Sequence, residues 1–375
     1  MASNFGNSLR VSIFGQSHSP AVGCVIEGLP AGFAIDFDEL ASFMARRAGG
    51  QGRWTTPRKE TDAVRVLSGL NHDNMTCGAP LALMIESSNT RPQDYDNLKH
   101  IPRPGHADWV AHEKWNGHQD GSGGGHFSGR LTAPVCAAGG IAKQLLASRG
   151  VAIAAHLAEV AGIADEAFCA RELDDASQAQ LAQQIETMAA MGGFPTLDDE
   201  VASAMLSAIE QAAKEGDSVG GIVECVSTGL PAGIGGPMFD GIESLIARIA
   251  FGIGAVKGIE FGAGFSAARM RGSEDNDPYQ VQDGRISLAK NDCGGNLGGI
   301  STATPVVFRL AIKPTSSISI PQQSVDLATA EQAELVVRGR HDPCIAPRAV
   351  PVAEAIMALG LLDAWLSFPA QDHGF

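Results

Sequence analysis

Apolar and polar residues alternate over residues 10–14, and a short apolar run follows at 23–27, so both segments read as strands. Across 38–47 the apolar spacing changes to the three- and four-residue steps of a helix. Further strands are predicted at 63–70, 82–85 and 222–227, with a long one over 300–312. Helices are predicted at 132–148, 198–215, 242–251 and 352–366. Pro134 is compatible with its helix because it falls in the first turn, where a missing N–H leaves no bond unmade. Gly216 is placed to close the 198–215 helix. No low-complexity linker separates these elements.

One internal echo shapes the expected architecture. Gly28-Leu29-Pro30-Ala31-Gly32 recurs as Gly229-Leu230-Pro231-Ala232-Gly233. Each copy follows a strand-like run and precedes Phe-Asp (Phe37-Asp38, Phe239-Asp240) at the opening of a helix. Two distant copies are too few for a solenoid. They predict one α+β domain over residues 1–375, with pseudo-symmetric halves. A doubly wound dinucleotide fold is not expected, since regular βαβ alternation and its Gly-x-Gly-x-x-Gly turn are missing.

The chain is long enough for a large core, and its 44% hydrophobic and 18% charged residues are ordinary for a soluble globular protein. No apolar stretch is expected to approach the roughly 20 residues of a membrane span, and the first residues lack signal-peptide features. A cytoplasmic protein with no membrane partner is expected. The seven cysteines are odd in number and scattered, so they read as reduced, buried small residues. A net charge of -15 argues against nucleic-acid binding, which needs a basic face.

Against that acidic background, cations gather locally. Arg46, Arg47, Arg53, Arg58 and Lys59 share one segment with no acid between Arg46 and Lys59, and Arg338, Arg340 and Arg348 form a second group. Arginine forks suit carboxylate or phosphate, so a small polyanionic ligand is expected. As surface charges, Arg47 and Arg53 are expected to matter more to ligand binding than to folding. Three glycine-rich or polar stretches allow close approach of backbone to ligand: residues 121–130, 294–299 and 313–317. The first runs into the helix at 132, whose N-terminus favours an anion. Candidate acid-base groups in loop-like sequence are His18, His106 and Asp342. Gly15-Gln16-Ser17-His18-Ser19 lacks the closing glycine of a nucleophile elbow. His106, His112 and His118 are interrupted by Gly105 and Gly117, so no metal site is expected.

Several segments, read in order, resemble the chorismate synthase family from end to end. They are Phe14-Gly15-Gln16-Ser17-His18, Arg46-Arg47 through Thr55-Thr56-Pro57-Arg58-Lys59-Glu60, Asp94-Tyr95-Asp96 and Arg103-Pro104-Gly105-His106-Ala107-Asp108. Gly216-Asp217-Ser218-Val219-Gly220-Gly221, Ala255-Val256-Lys257-Gly258, Gly298-Gly299-Ile300-Ser301, Lys313-Pro314-Thr315-Ser316-Ser317-Ile318 and Gly339-Arg340-His341-Asp342-Pro343-Cys344 continue the order. The resemblance implies an α+β fold with helices sandwiched between two antiparallel sheets, and a homotetramer. It implies elimination of phosphate from 5-enolpyruvylshikimate 3-phosphate to give chorismate in the shikimate pathway, with reduced FMN as cofactor and NADPH as a reductant in some members. A flavin-reducing activity and a non-catalytic relative that binds flavin or a phosphorylated anion are the other readings.

By the same resemblance, His18 assists phosphate departure, His106 protonates the flavin and Asp342 accepts the ring proton. Arg47, Arg53, Arg58 and Arg130 would hold substrate or NADPH. His126, Phe127, Ser128, Gly254, Ala255, Gly298, Lys313, Pro314, Thr315, Ser316, Ser317 and Arg340 would contact FMN. The family usually has an arginine at His126 and an asparagine at Gly254. Flavin binding is therefore expected to become sensitive to the charge of His126.

Overall fold

The computed structural model describes residues 3–50, 52, 54–55, 61–87, 100–282, 284–337, 341–371 and 374–375. The first half builds strands β1 (Asn4–Phe5), β2 (Arg10–Gly15), β3 (Ala21–Glu27), β4 (Val64–Ser68) and β5 (Leu81–Glu86). They form an antiparallel sheet in the order β1-β2-β3-β5-β4. Helix α1 (Phe37–Arg47) is capped by the Asp36 carboxylate, which accepts from the N–H groups of Asp38 and Glu39. Helix α2 (Asp108–Trp115) is short, and α3 (Thr132–Ala147) begins with Pro134 in its first turn as expected.

The second half repeats the plan. Strands β6 (Ala152–Val160) and β7 (Ile163–Ala164) lead to α4 (Asp175–Ala190) and α5 (Asp199–Glu215), the latter ending at Gly216 with φ +73°. Strand β8 (Gly221–Thr228), α6 (Ile242–Ala250) and β9 (Val256–Phe261) follow, then a single helical turn α7 (Gly272–Asp275). Two hairpins come next, β10 (Tyr279–Gln282) with β11 (Arg285–Leu288), and β12 (Asn296–Leu297) with β13 (Ile300–Ser301). Strand β14 (Val306–Ile312), the hairpin β15 (Gln322–Asp326) with β16 (Glu331–Leu335), and α8 (Ala346–Ser367) complete the order. The second sheet runs β7-β6-β8-β14-β9, again antiparallel. The four strands β6-β8-β14-β9 match β2-β3-β5-β4 in order, and only the edge strand differs, β1 preceding its neighbour in the chain and β7 following it, so the two halves related in sequence are related in topology.

The Gly-Leu-Pro-Ala-Gly echo marks equivalent corners. Gly28 and Gly229 have φ near +86° and +84°, and a Cβ at either would run into the carbonyl oxygen of Ser8 or of Gly150. Helix α3 lies on β3 and β5, α8 lies on β6 and β8, and the two helices meet each other. The helices are thus sandwiched between two antiparallel sheets. One core joins Leu9, Val22, Ile85, Ile141 and Leu146 of the first half to Leu157, Phe308, Ile356 and Leu359 of the second. A smaller cluster around Phe168, Leu181 and Met188 packs α4 on the outer face of the second sheet.

The structure departs from the sequence pattern in places. The predicted strand 300–312 is broken, because Ala303 adopts φ +65° between β13 and β14. Helix α8 starts six residues earlier than expected and is 22 residues long, with mean hydropathy 1.6 over an 18-residue window. This corrects the expectation that no apolar stretch approaches membrane-spanning length. Its residues are almost all buried inside the protein, which explains the composition. All seven cysteines are unpaired, but only Cys24, Cys136, Cys225 and Cys344 are buried; Cys77 is exposed.

His156 of β6 is fully buried between two carboxylates, with Nδ1 3.0 Å from Asp165 and Nε2 3.1 Å from Glu224. Carboxylates only accept, so both ring nitrogens carry protons. Burial would lower the imidazole pKa, but the hydrogen bonds the ring donates to Asp165 and Glu224 outweigh it and raise the value. A raised folded pKa stabilises the fold fully below the ordinary value of about 6.5, and the contribution disappears as pH rises through the folded value. Chemical denaturation between pH 6 and 9 should therefore show stability falling with pH. The triple variant His156→Gln, Asp165→Asn, Glu224→Gln should lose that part of the slope; an unchanged slope would contradict the assignment.

Candidate active site

The loop after β2 carries Ser17 and His18, and its path is fixed by the glycine stretch before α3. Ser17 N–H donates to the Gly125 carbonyl at 2.9 Å. Gly123 has φ +70°, and a Cβ there would stand 2.5 Å from His18 Cε1 and 2.9 Å from Ser17 Oγ. At Gly124 a Cβ would stand 3.5 Å from His106 Nε2. Two imidazoles from distant segments therefore close on adjacent glycines, which are needed because any side chain at Gly123 would displace His18.

His106 is oriented by groups that the sequence reading passed over. Its Nδ1 lies 2.5 Å from Asp108 Oδ1, and since the carboxylate can only accept, Nδ1 carries the proton. Nε2 faces Gly124 and, 3.5 Å from Arg103 Nη2, is the nitrogen that accepts. Arg103 binds the same carboxylate through Nε and Nη2, both at 2.8 Å, and reaches Ser317 Oγ at 3.2 Å. Burial would raise the Asp108 carboxyl, but hydrogen bonds from Arg103 and His106 hold it well below the usual carboxylate range. The signal was present in the motif Arg103-Pro104-Gly105-His106-Ala107-Asp108, as an acid two residues beyond the histidine.

The loop after β14 joins the same centre. Lys313 Nζ donates to Ser316 Oγ at 2.8 Å, and Ser316 Oγ donates to the Gly105 carbonyl at 2.8 Å. Lys313 N–H donates to the Ala255 carbonyl at 2.9 Å, with Ala255 itself held at φ +73°. Burial, and next the nearby Lys257 ammonium, push Lys313 below the ordinary lysine range. Gly254 faces the Phe127 carbonyl, and the Phe127 ring packs on Trp115 with centroids 5.8 Å apart. A cavity of about 290 Å³ opens here, lined in part by Gln16, Arg103, Asp108, Trp115, Gly124 and Phe127. Gly298 is in the turn between β12 and β13. Arg53, Arg58 and Arg340 lie outside the described residues.

The family model described as chorismate synthase matches residues 9–366. The chain belongs to the chorismate synthase family. A chorismate synthase of Lancefieldella parvula is 47% identical over 100% of this chain and 99% of its own length. One of Korarchaeum cryptofilum is 44% identical, covering 96% of each chain. A crystal structure of chorismate synthase superposes with TM-score 0.73 over 98% of this chain and 95% of its own, at 24% identity, which establishes the shared fold. As a member of this family the protein is a lyase.

The arginines of this family member are not arranged as the sequence led one to expect. Arg46 forks onto Glu354 of α8, which Lys143 also binds. Arg47 is 2% exposed and Arg130 6%, and both grip the fully buried carboxylate of Asp62. Arg47 Nε is 3.0 Å from Asp62 Oδ2, and its Nη1 donates to Thr132 Oγ1 at 3.0 Å. The partner acids exist, but outside the cationic segment. Arg47 is thus corrected from a surface charge to a buried ion-pair member. His126 differs too: Nδ1 donates to the Gly15 carbonyl and Nε2 meets Ser3 Oγ, both at 2.8 Å. Both nitrogens are hydrogen-bonded within the protein.

Removing Arg47 would leave Asp62 buried with half of its compensation. Arg47→Ala should therefore destabilise the fold by about 3–5 kcal/mol in urea unfolding. A loss below about 1 kcal/mol, typical of an exposed pair, would show that the side chain is not buried in solution.

Proposed function

We propose that this chain eliminates phosphate from 5-enolpyruvylshikimate 3-phosphate to give chorismate, using reduced FMN. The observation carrying the proposal is the convergence of His18 and His106 on Gly123–Gly124, with Asp108 fixing the His106 tautomer. Two proton-exchanging groups brought from distant segments against one glycine stretch suit a reaction in which a ring C–O bond and a ring C–H bond break and a ring double bond forms. His18 supplies a proton to the departing phosphate. Asp342 accepts the ring proton. His106 exchanges a proton at Nε2.

The residues fit a flavin phosphate or ribityl chain. The Thr315 hydroxyl is buried without a hydrogen-bond partner among the described residues, beside the two cations Lys313 and Lys257. Lys313, Pro314, Thr315, Ser316 and Ser317 would hold the cofactor with Gly254, Ala255, Phe127 and Ser128, joined by Gly298, His126 and Arg340. Reduced FMN, when bound, lends electron density to the reaction and recovers it, so no net oxidation occurs. Arg53 and Arg58 are the proposed substrate contacts, with Arg47 and Arg130 acting from behind. NADPH as reductant and a cytoplasmic site of action belong to the same proposal, as does a single domain over residues 1–375. So does assembly as a homotetramer, which the exposed side chains of Met238, Phe239, Phe265, Val281 and Ile286 support.

Phosphate release measured anaerobically with dithionite-reduced FMN should proceed, and turnover with no flavin would refute the proposal. Asp108→Asn keeps the shape but releases the His106 tautomer. It should lower kcat about 10²-fold or more with KM nearly unchanged; full activity would show that the pair does not serve catalysis.

A further inference from the structure

We propose that Arg348 is a positioning residue for Asp342, holding that carboxylate in place to take the ring proton; this rests on the assignment of Asp342 as the base. Arg348 Nη1 donates to Asp342 Oδ2 at 2.7 Å, and Nε donates to the Arg47 carbonyl at 2.9 Å. A planar guanidinium bonded along two edges has little freedom to turn. Its second anchor is itself fixed, because the Arg47 side chain is buried against Asp62 and Thr132. Asp342 therefore ends a chain of contacts that runs from Arg130 through Asp62, Arg47 and Arg348.

The place of Arg348 in the fold supports this reading. It stands in the first turn of α8, where a cation opposes the helix dipole. The rest of α8 is almost wholly apolar and buried, so a cation at this position has no packing advantage over a hydrophobe. Its direct partner is the Asp342 carboxylate, Asp62 acts on it through space, and its stem rests at the end of α1. In the elimination, the ring C–H electron pair becomes the new double bond, phosphate leaves with the C–O pair, and the proton passes to Asp342. Arg348 stays protonated throughout and exchanges nothing. It fixes direction and supplies a permanent positive charge beside the carboxylate.

The test is a double-mutant cycle on the full enzyme with reduced FMN. Arg348→Met should lower kcat about a hundredfold, the scale of a misplaced catalytic group. KM should change less than about twofold, as should the calorimetric Kd for 5-enolpyruvylshikimate 3-phosphate without flavin. Arg348→Lys, which keeps the charge but loses the planar fork, should fall between wild type and Arg348→Met. The double variant Arg348→Met, Asp342→Asn should be no slower than Asp342→Asn alone. Losses that multiply would mean that Arg348 acts apart from Asp342, and a weakened Kd would mean that it holds a substrate anion; either overturns the proposal. If Arg348→Met is unfolded by circular dichroism, the same cycle with Arg348→Lys decides. Full kcat in Asp342→Asn would remove the base assignment itself, a failure distinct from multiplied losses.

Discussion

Helices α3 and α8 lie so close between the sheets that a methyl group at Gly139 would overlap the Cβ of Ala355. Each is covered by a sheet on one side and by the other helix on the next, so neither has a solvent face to fill with charge. That constraint explains the small and apolar sequence of both, since close axes require small side chains and dry surroundings exclude unpaired polar ones. The two acids of α8 show what an exception demands. Glu354 is gripped by Arg46 and Lys143, and Asp363 accepts from the backbone N–H groups of Asn7, Ser8 and Leu9. The first contact ties α1 to α8, and the second clamps the N-terminal strands to it. Both halves are thereby referred to one buried helix.

The site inherits its rigidity from this frame. Its groups sit on loops, yet two of these segments are pinned by an acid: half-buried Asp108 for the His106 loop, and buried Asp62 for the ends of α1 and the turn before α3. Such pairs contribute little net stability compared with a hydrophobic filling, because desolvation cancels much of the attraction. Their value lies in direction, since a carboxylate facing a guanidinium fork permits few geometries.

The fold was largely legible because its periodicity and its repeated Gly-Leu-Pro-Ala-Gly corner are local signals. Among the elements that failed to show were β6, β9, the hairpins β10–β11 and β15–β16, and helices α2 and α4, along with the true start of α8. Strand β6 is nearly all buried, so it lacks the alternation that marks a half-exposed strand. Helix α8 opens with Pro347 in its first turn and contains Pro351 at its sixth position, whereas the helix expected from the sequence began only after that second proline. In the site, residue types were readable and pairings were not. Arg47 looks the same in sequence whether its partner is a ligand or Asp62, and the left-handed backbone of Asp62, φ +47°, is not a position its residue type announces. The cofactor residues remain a reading from resemblance, because no local pattern distinguishes a phosphate-binding turn from an ordinary one.

His126 shows how a changed residue can leave a site's geometry intact. An arginine there would bring a permanent charge and a long reach. The imidazole brings two polar atoms pointing in opposite directions, and both are taken, by Gly15 at the end of β2 and by Ser3. Ser3 in turn accepts from the N–H of Ile13, so the contact extends to the sheet edge. Beside it, Ser17 N–H binds the Gly125 carbonyl. These bonds form a seam between the loop carrying His18 and the glycine stretch, and the seam sets how closely His18 approaches Gly123. The ring at position 126 thus belongs to the set of contacts that place His18 beside Gly123.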